Sequence, residues 1–203
     1  VNAILEATIR ILDREGIEAA STTRIASVAG VSVGTLYQYF AHRDAILDAL
    51  QDREFERALT LMSTVLSDEN LTRTPRETVT AVLRGLSSLY AASPALHRAL
   101  VIETLRSSSP ERVEAFDLRV VAMIRHFLAA TGARVRRGNV EAAAFVAFQA
   151  VRAVMLARLL ERPPGVDEAT LADELVDLVL RYLVEDEPAP AKRAPPPRAP
   201  LKG

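Results

Sequence analysis

Apolar residues along this chain recur three and four apart rather than alternately, in blocks set off by Gly, Pro or short polar runs, which is the signature of amphipathic helices. The first block, Asn2 to Glu15, carries Ile4, Leu5, Ile9 and Leu12 as its buried stripe and ends at Gly16. A short helix follows from a Thr22 cap, with Ile25 and Val28 three apart, and stops at Gly30, where a residue without Cβ tolerates positive φ cheaply. Ser32 caps another short helix, on which Leu36 and Phe40 form an i, i+4 pair facing the first. Two brief helices, a Gly turn and a shared apolar seam spell helix-turn-helix.

Asp44 is placed to cap a long helix reaching about Ser67, with Leu47, Phe55, Leu59, Met62 and Leu66 inward. Its stiffness suits it to carry a tilt from one end to the other. After a polar break from Asp68, Pro75 opens a helix bearing Val79, Val82, Leu83, Leu86, Leu89 and Tyr90. Ser93-Pro94 starts the next, with Leu96, Leu100, Val101 and Leu105, and a turn is expected from Ser107 to Pro110. A longer helix to about Ala130 buries Val113, Phe116, Val120, Ile124 and Phe127, and a basic loop runs from Gly132 to Gly138 with Arg134, Arg136 and Arg137. The helix from Asn139 to Glu161 has two apolar faces: Phe145, Phe148, Arg152, Met155 and Leu159 on one, and the small residues Ala143, Ala147, Ala150, Val154 and Ala157 on the other. Small side chains let a neighbouring helix approach closely. Pro163-Pro164-Gly165 separates it from the last helix, Asp167 to Val184, with Leu171, Leu175, Leu178, Val179 and Tyr182 along one side. The small-residue stripe and this side are expected to meet a second subunit. From Pro188 to Gly203 the chain is Pro, Ala and four basic residues, a composition that predicts disorder.

The fold is therefore expected to be all-α. Residues 1–45 form a three-helix DNA-binding unit, residues 46–187 a larger helical ligand-binding and dimerisation domain, and residues 188–203 a tail.

With Leu36 and Phe40 turned inward, Gly34 and Gln38 point out, flanked by Thr35 and Tyr37. Gly34 has no side chain to hold the helix off a groove, and Gln38 can pair bidentately with adenine. Val33 can touch a thymine methyl. Thr23, Arg24, Tyr37, Tyr39 and Arg43 carry donors for phosphate oxygens, and His42 brings the start of the long helix to the same surface.

The wording of the stretch, TTRIASVAGVSVGTLYQYFAHRDAIL, closely resembles the helix-turn-helix of the TetR family of transcriptional regulators. The matching elements are Gly30-Val31-Ser32, Thr35-Leu36-Tyr37, Tyr39-Phe40 and the basic-acidic pair Arg43-Asp44, where the family usually has Lys at the first of the pair. The resemblance spans roughly Ile4 to Leu47. It implies phosphate contacts from Thr23, Tyr37, Tyr39 and Arg43, and base-edge positions for Arg24, Val33, Gly34, Thr35 and Gln38, behind the Ser32 cap. It also implies a dimer whose last two helices pair with their symmetry mates, and a repressor released by a small effector. Two recognition helices would then read a near-palindrome in grooves about 34–36 Å apart or somewhat more. Since the chain begins at Val1, a basic arm of the kind family members carry has room upstream.

Composition adjusts this picture in three places. At 203 residues, 49% apolar and 25% charged, the chain can bury a real core, and with no Cys it offers neither disulfides nor thiolate metal sites. No apolar run approaches the roughly 18 residues needed to span a bilayer and no signal peptide opens the chain, which points to the cytoplasm. Residues 1–50 hold four arginines against six acids, a net −2, where a nucleic-acid module usually shows a basic patch. That sum supports the rival reading, a helical ligand-binding or scaffolding protein that does not read DNA.

Nothing recommends an enzyme, a metal or a cofactor: HExxH, a P-loop, GxGxxG and GxSxG are all absent, and His97 and His126 read as surface or capping residues. The soft or polar residues Met62, Tyr90, Met123, Phe148, Gln149, Arg152 and Met155 lie in or beside the apolar stripes. A cavity among them would take a mostly apolar small molecule, with Gln149 and Arg152 holding its polar ends.

Overall fold

A computed structural model describes residues 1–67, 73–106, 110–130, 138–161, 165 and 167–184, and every regular element among them is helical. Helix α1 (Asn2–Glu15) buries Ile4, Leu5, Ala7, Thr8, Ile11 and Leu12. Ile11 rather than Ile9 belongs to the core, because 4, 8, 11 and 12 share a face and Ile9 lies to one side of it. Thr8 is buried without penalty, since its hydroxyl donates to the Ile4 carbonyl at 2.8 Å. After Gly16 and a single 3-10 turn (Ile17–Ala19), α2 (Thr22–Ala29) begins. Its cap is Ser21, one residue before the expected Thr22: the Ser21 hydroxyl accepts the Arg24 N–H at 3.2 Å. Gly30 closes α2 at φ 71° and ψ 30°, the left-handed conformation the turn requires.

Ser32 caps α3 (Val33–Tyr39) as expected, accepting the Thr35 N–H at 2.9 Å. The long helix α4 (Arg43–Val65) is capped by His42, whose Nδ1 accepts the Ala45 N–H at 3.1 Å, and not by Asp44, which sits in the first turn. Thr74 and Glu77 form a reciprocal capping box at the start of α5 (Pro75–Ala92), with Pro75 at the first position. Then come α6 (Pro94–Arg106), α7 (Pro110–Ala130), α8 (Val140–Glu161) and α9 (Glu168–Leu183). Asn139 caps α8 and Asp167 caps α9. The turn residues Ser107 to Ser109, the basic loop with Arg134, Arg136 and Arg137, and the tail from Pro188 lie outside the described residues.

One core joins α1, α2, α3 and the start of α4: Ile4, Ile11, Leu12, Ile25, Leu36, Ile46, Leu47 and Leu50 pack together. Leu96, Ala99 and Leu100 of α6 belong to that same core. The small N-terminal unit thus leans on α6 as well as on α4, as a unit too small to bury its own surface must. The remaining helices share three smaller cores, in which α4 and α7 meet at Leu59, Met62 and Val120, α8 and α9 at Ala143, Ala147 and Val179, and α5 and α9 at Leu83, Leu175 and Val176.

Helix α8 corrects the expectation that no segment is apolar enough for a bilayer. It has 22 residues and a mean hydropathy of 1.7 over an 18-residue window, enough by length and composition alone. Ala143, Ala144, Ala147 and Met155 are buried in the bundle, and Arg152 forms an ion pair midway along, which is how a bundle helix uses such a composition.

Candidate DNA-reading face and interior cavity

The face that α3 leaves open follows from what it buries. Leu36 is fully buried and Phe40 nearly so, in one core with Ile25. The opposite side therefore presents Val33, Gly34, Tyr37, Gln38 and Tyr39, all exposed, with Thr35 half-buried beside them. Ser32 is exposed at the head of the helix, and its hydroxyl lies 2.8 Å from that of Thr35. A Cβ on Gly34 would meet only the Ser32 hydroxyl, at 3.8 Å, so nothing inside the protein demands glycine there. The Tyr37 hydroxyl pairs with Thr22 Oγ1 at 3.2 Å, which steers the ring toward the start of α2, and Thr23 is exposed next to it.

Two cations flank this face in different states. Arg43 is half-buried, and its Nε finds no hydrogen-bond partner among the described residues. Because His42 Nδ1 accepts the cap hydrogen bond, the His42 proton sits on Nε2, and His42 is exposed. Arg24 is already engaged: it donates to Glu15 at 2.8 and 3.3 Å, and those hydrogen bonds together with its charge hold the Glu15 carboxyl below its ordinary range. The position of Arg24 in the sequence predicts a DNA contact, and the structure gives it a partner on α1 instead.

The interior holds two adjoining chambers walled in common by Ala58, Tyr90, Phe116 and Arg152. The first, about 130 Å³, is almost wholly apolar and is lined by Met62, Tyr90, Phe148, Arg152 and Met155 of the expected set, with Val82, Leu86 and Phe127. Met123 and Gln149 do not line it. Met123 packs against the core of Leu59 and Val120, and Gln149 turns outward, donating to Asp117 at 2.9 Å from an open groove beside Phe145. Arg152 donates to both Asp117 oxygens at 2.6 and 2.7 Å and lies 5.5 Å from the Phe148 ring centroid, so its charge is already balanced.

The second chamber, about 220 Å³, contains residues the sequence did not flag: Gln51, Glu54, His97 and Thr104, among Phe55, Leu100 and Val101. His97 is buried rather than superficial, at 6% exposure, against the tilted ring of Tyr90 at 4.8 Å. Glu54 is buried at 5%. Burial pushes the Glu54 carboxyl up, but hydrogen bonds from His97 and Arg57 outweigh it and leave the group below its ordinary value. Burial pushes the Tyr90 hydroxyl up. One sign was in the sequence: Glu54 stands where the spacing of Leu47, Leu50, Ala58 and Met62 calls for an apolar residue.

Residues 4–50 match the family of bacterial regulatory proteins named for tetR, and residues 74–183 match the tetracyclin repressor-like C-terminal domain. The chain belongs to the TetR family. Its helix-turn-helix is 44% identical over 54 residues to the HTH-type transcriptional repressor KstR of Mycolicibacterium smegmatis, covering 27% of this chain and 26% of that one. The nucleoid occlusion factor SlmA of Actinobacillus pleuropneumoniae is 32% identical over 98 residues, covering 48% and 47%. This chain thus aligns with about a quarter to a half of the length of these relatives. The fold extends further: SmeT, the repressor of the Stenotrophomonas maltophilia multidrug efflux pump SmeDEF, superposes with a TM-score of 0.69 at 21% identity, over 91% of this chain and 90% of that one. The fatty acid degradation regulator FadR of Bacillus halodurans gives 0.66 at 19%, over 88% and 97%.

For a TetR family member, the placement of α8 and α9 bears on assembly, and here the expected residues divide. Ala143 and Ala147 are buried against Val179 and Leu183 of the same chain, and Leu175 packs with Leu83 and Val154. Ala143, Ala147, Leu175 and Val179 therefore have almost no surface left for a second copy. The small residues do admit a close helix, but that helix is the chain's own α9. Ala150, Val154, Ala157, Leu171 and Tyr182 are half-buried, and Leu178 is 46% exposed. The outward face of α8 is rotated from the expected one and runs through the exposed Ala142, Val146, Ala153 and Leu160, with Gln149 half-buried between them.

Proposed function

We propose that this TetR family chain is a ligand-responsive transcriptional regulator of the repressing kind, which binds a near-palindromic operator as a homodimer and is released by a small, mostly apolar effector in the cytoplasm. The observation that carries the reading is the face of α3, where Gly34 and Gln38 stand exposed on a helix whose Leu36 is fully buried. The name of KstR, a transcriptional repressor, supports repression. The two chambers support an effector, since an apolar cavity with a few converging polar groups is the usual form of a small-molecule site. The outward face of α8 supports the dimer: only 22% of its most apolar window is buried within one chain.

Fluorescence anisotropy on duplex DNA from upstream of the protein's own gene tests the reading. Specific binding that weakens by about tenfold or more in Gln38→Ala is expected, the scale of one lost bidentate base contact. Binding that is equal on scrambled duplex would sink it. The acidic N-terminal module and the Arg24–Glu15 pair favour the rival, a helical protein that does not read DNA. Under that reading no duplex binds at any ionic strength, whereas operator binding falls steeply with added salt.

A further inference from the structure

The two chambers meet at Tyr90. At about 130 and 220 Å³, neither alone reaches the roughly 300 Å³ at which small-molecule sites begin, so a ligand of ordinary size has to occupy both. Such a ligand crosses at the common wall of Ala58, Tyr90, Phe116 and Arg152. Of the three polar side chains around the first chamber, Arg152 is already held by both Asp117 oxygens, at 2.6 and 2.7 Å. Thr78 and Tyr90 offer hydroxyls. Thr78 Oγ1 is buried without a hydrogen-bond partner among the described residues, and no hydrogen bond among them engages the Tyr90 hydroxyl either. Burial pushes the Tyr90 hydroxyl up, so it keeps its proton and stands as a donor.

The charges on the walls are already answered. Arg57 donates to both Glu54 oxygens at 3.1 Å, and Arg53 lies 3.7 Å from the same carboxylate, so two guanidinium groups meet it before His97 at 3.4 Å is counted. Thr104 donates to Gln51 at 2.8 Å across the second chamber's wall. An ammonium head would therefore meet basic side chains around Glu54, and a carboxylate head would have to take Arg152 from Asp117. Either ion gives up its water and finds no countercharge free. A neutral oxygen loses far less on leaving water, and a hydrogen bond from Tyr90 offsets that loss.

We propose that the effector is an uncharged, elongated molecule whose oxygen sits mid-chain, where it accepts a hydrogen bond from Tyr90, with apolar ends reaching into both chambers. This rests on the effector reading above and adds the ligand's chemistry. Thr78 is the weaker choice for the oxygen, because it stands about 18 Å along α5 from Tyr90 and lines the first chamber alone. Tyr90 also places the ligand where it matters. Its ring lies 4.8 Å from that of His97, whose neighbours Leu96 and Ala99 belong to the core of the DNA-reading unit. An occupant at Tyr90 thus reaches that core through α6.

The experiment is displacement of the neutral dye N-phenyl-1-naphthylamine from the whole protein at neutral pH by probes of equal carbon number: dibutyl ketone, methyl heptyl ketone, nonylamine and nonanoate. Dibutyl ketone is expected to compete best, at about one-tenth the concentration either ion needs. Methyl heptyl ketone, with its oxygen near one end, should need about threefold more. Tyr90→Phe keeps a ring beside His97 but removes the donor, and should weaken dibutyl ketone by about three- to tenfold. If that variant folds poorly, the comparison of the two ketones decides the placement. Either ion competing as well as dibutyl ketone overturns the uncharged class. Methyl heptyl ketone competing as well as its isomer, or a folded Tyr90→Phe that changes nothing, overturns the mid-chain contact with Tyr90. Both of those results leave the effector reading standing. No dye uptake, together with no rise in melting temperature with any probe, removes the effector reading itself.

Discussion

At Gly34 the needs of folding and of the proposed DNA contact can be told apart in one residue. A methyl group there meets nothing closer than the Ser32 hydroxyl at 3.8 Å, and Ala is the better helix former by about 1 kcal/mol. Gly34→Ala is therefore expected to leave the melting temperature unchanged or slightly raised, while weakening operator binding because the added Cβ holds α3 off the groove floor. Thermal denaturation and anisotropy on the same preparation check this, and a stability loss without a change in binding would refute it. The same neighbourhood shows what single residues disclose. Gly30 and Ser32 were legible because positive φ and a helix cap each demand a particular chemistry. Ser21 and His42 were not, because adjacent polar residues are all competent to cap, and the path of the chain into the helix selects one. His97 was the hardest, since its meaning lies in Glu54, which sits on another helix and shows only as an acid out of phase with the α4 stripe.

At the scale of elements, the α4–α6 contact holds a buried acid, Glu54 beside His97. The Glu54 carboxyl is buried, which raises it, yet hydrogen bonds from His97 and Arg57 leave it below its ordinary 4.5. A carboxyl depressed in the folded state stabilises the fold above its unfolded value, and that contribution is lost as pH falls through the folded value. Wild-type protein should therefore lose melting temperature more steeply than Glu54→Gln on going from about pH 5.5 to about pH 3.5. Parallel curves from calorimetry would show that Glu54 gives α4 and α6 no pH-dependent coupling. The elements themselves were readable from period and punctuation, including Pro75, Pro94 and the break at Gly30. Which helix lies against which was not, because a stripe of small residues says that something comes close and not what. On α8 the sequence pointed to a second subunit, and the structure put the chain's own α9 there.

For the molecule as a whole, the question is what covers the outward side of α8 and α9. Phe145 is 49% exposed, Val146 46% and Leu178 46%, on helices whose other sides are filled by the bundle. Stable pairs bury about 1,200–2,000 Å² in total, an area two helices per subunit can supply. If two copies meet here, a charge at the centre of the seam would be buried without a partner, which costs several kcal/mol and shifts dimer dissociation by about two orders of magnitude or more. Val146→Asp should therefore run as a monomer in sedimentation at concentrations where wild type is dimeric. Its fold should survive, since Val146 belongs to none of the interior cores. Operator affinity should fall with it, because one recognition helix reads half a site and the second half is then bound only by a separate encounter. Leu118→Asp serves as the control: Leu118 is 62% exposed on α7, and the same charge there should leave both mass and affinity unchanged. Loss of dimer from the control alone would move the interface to α7.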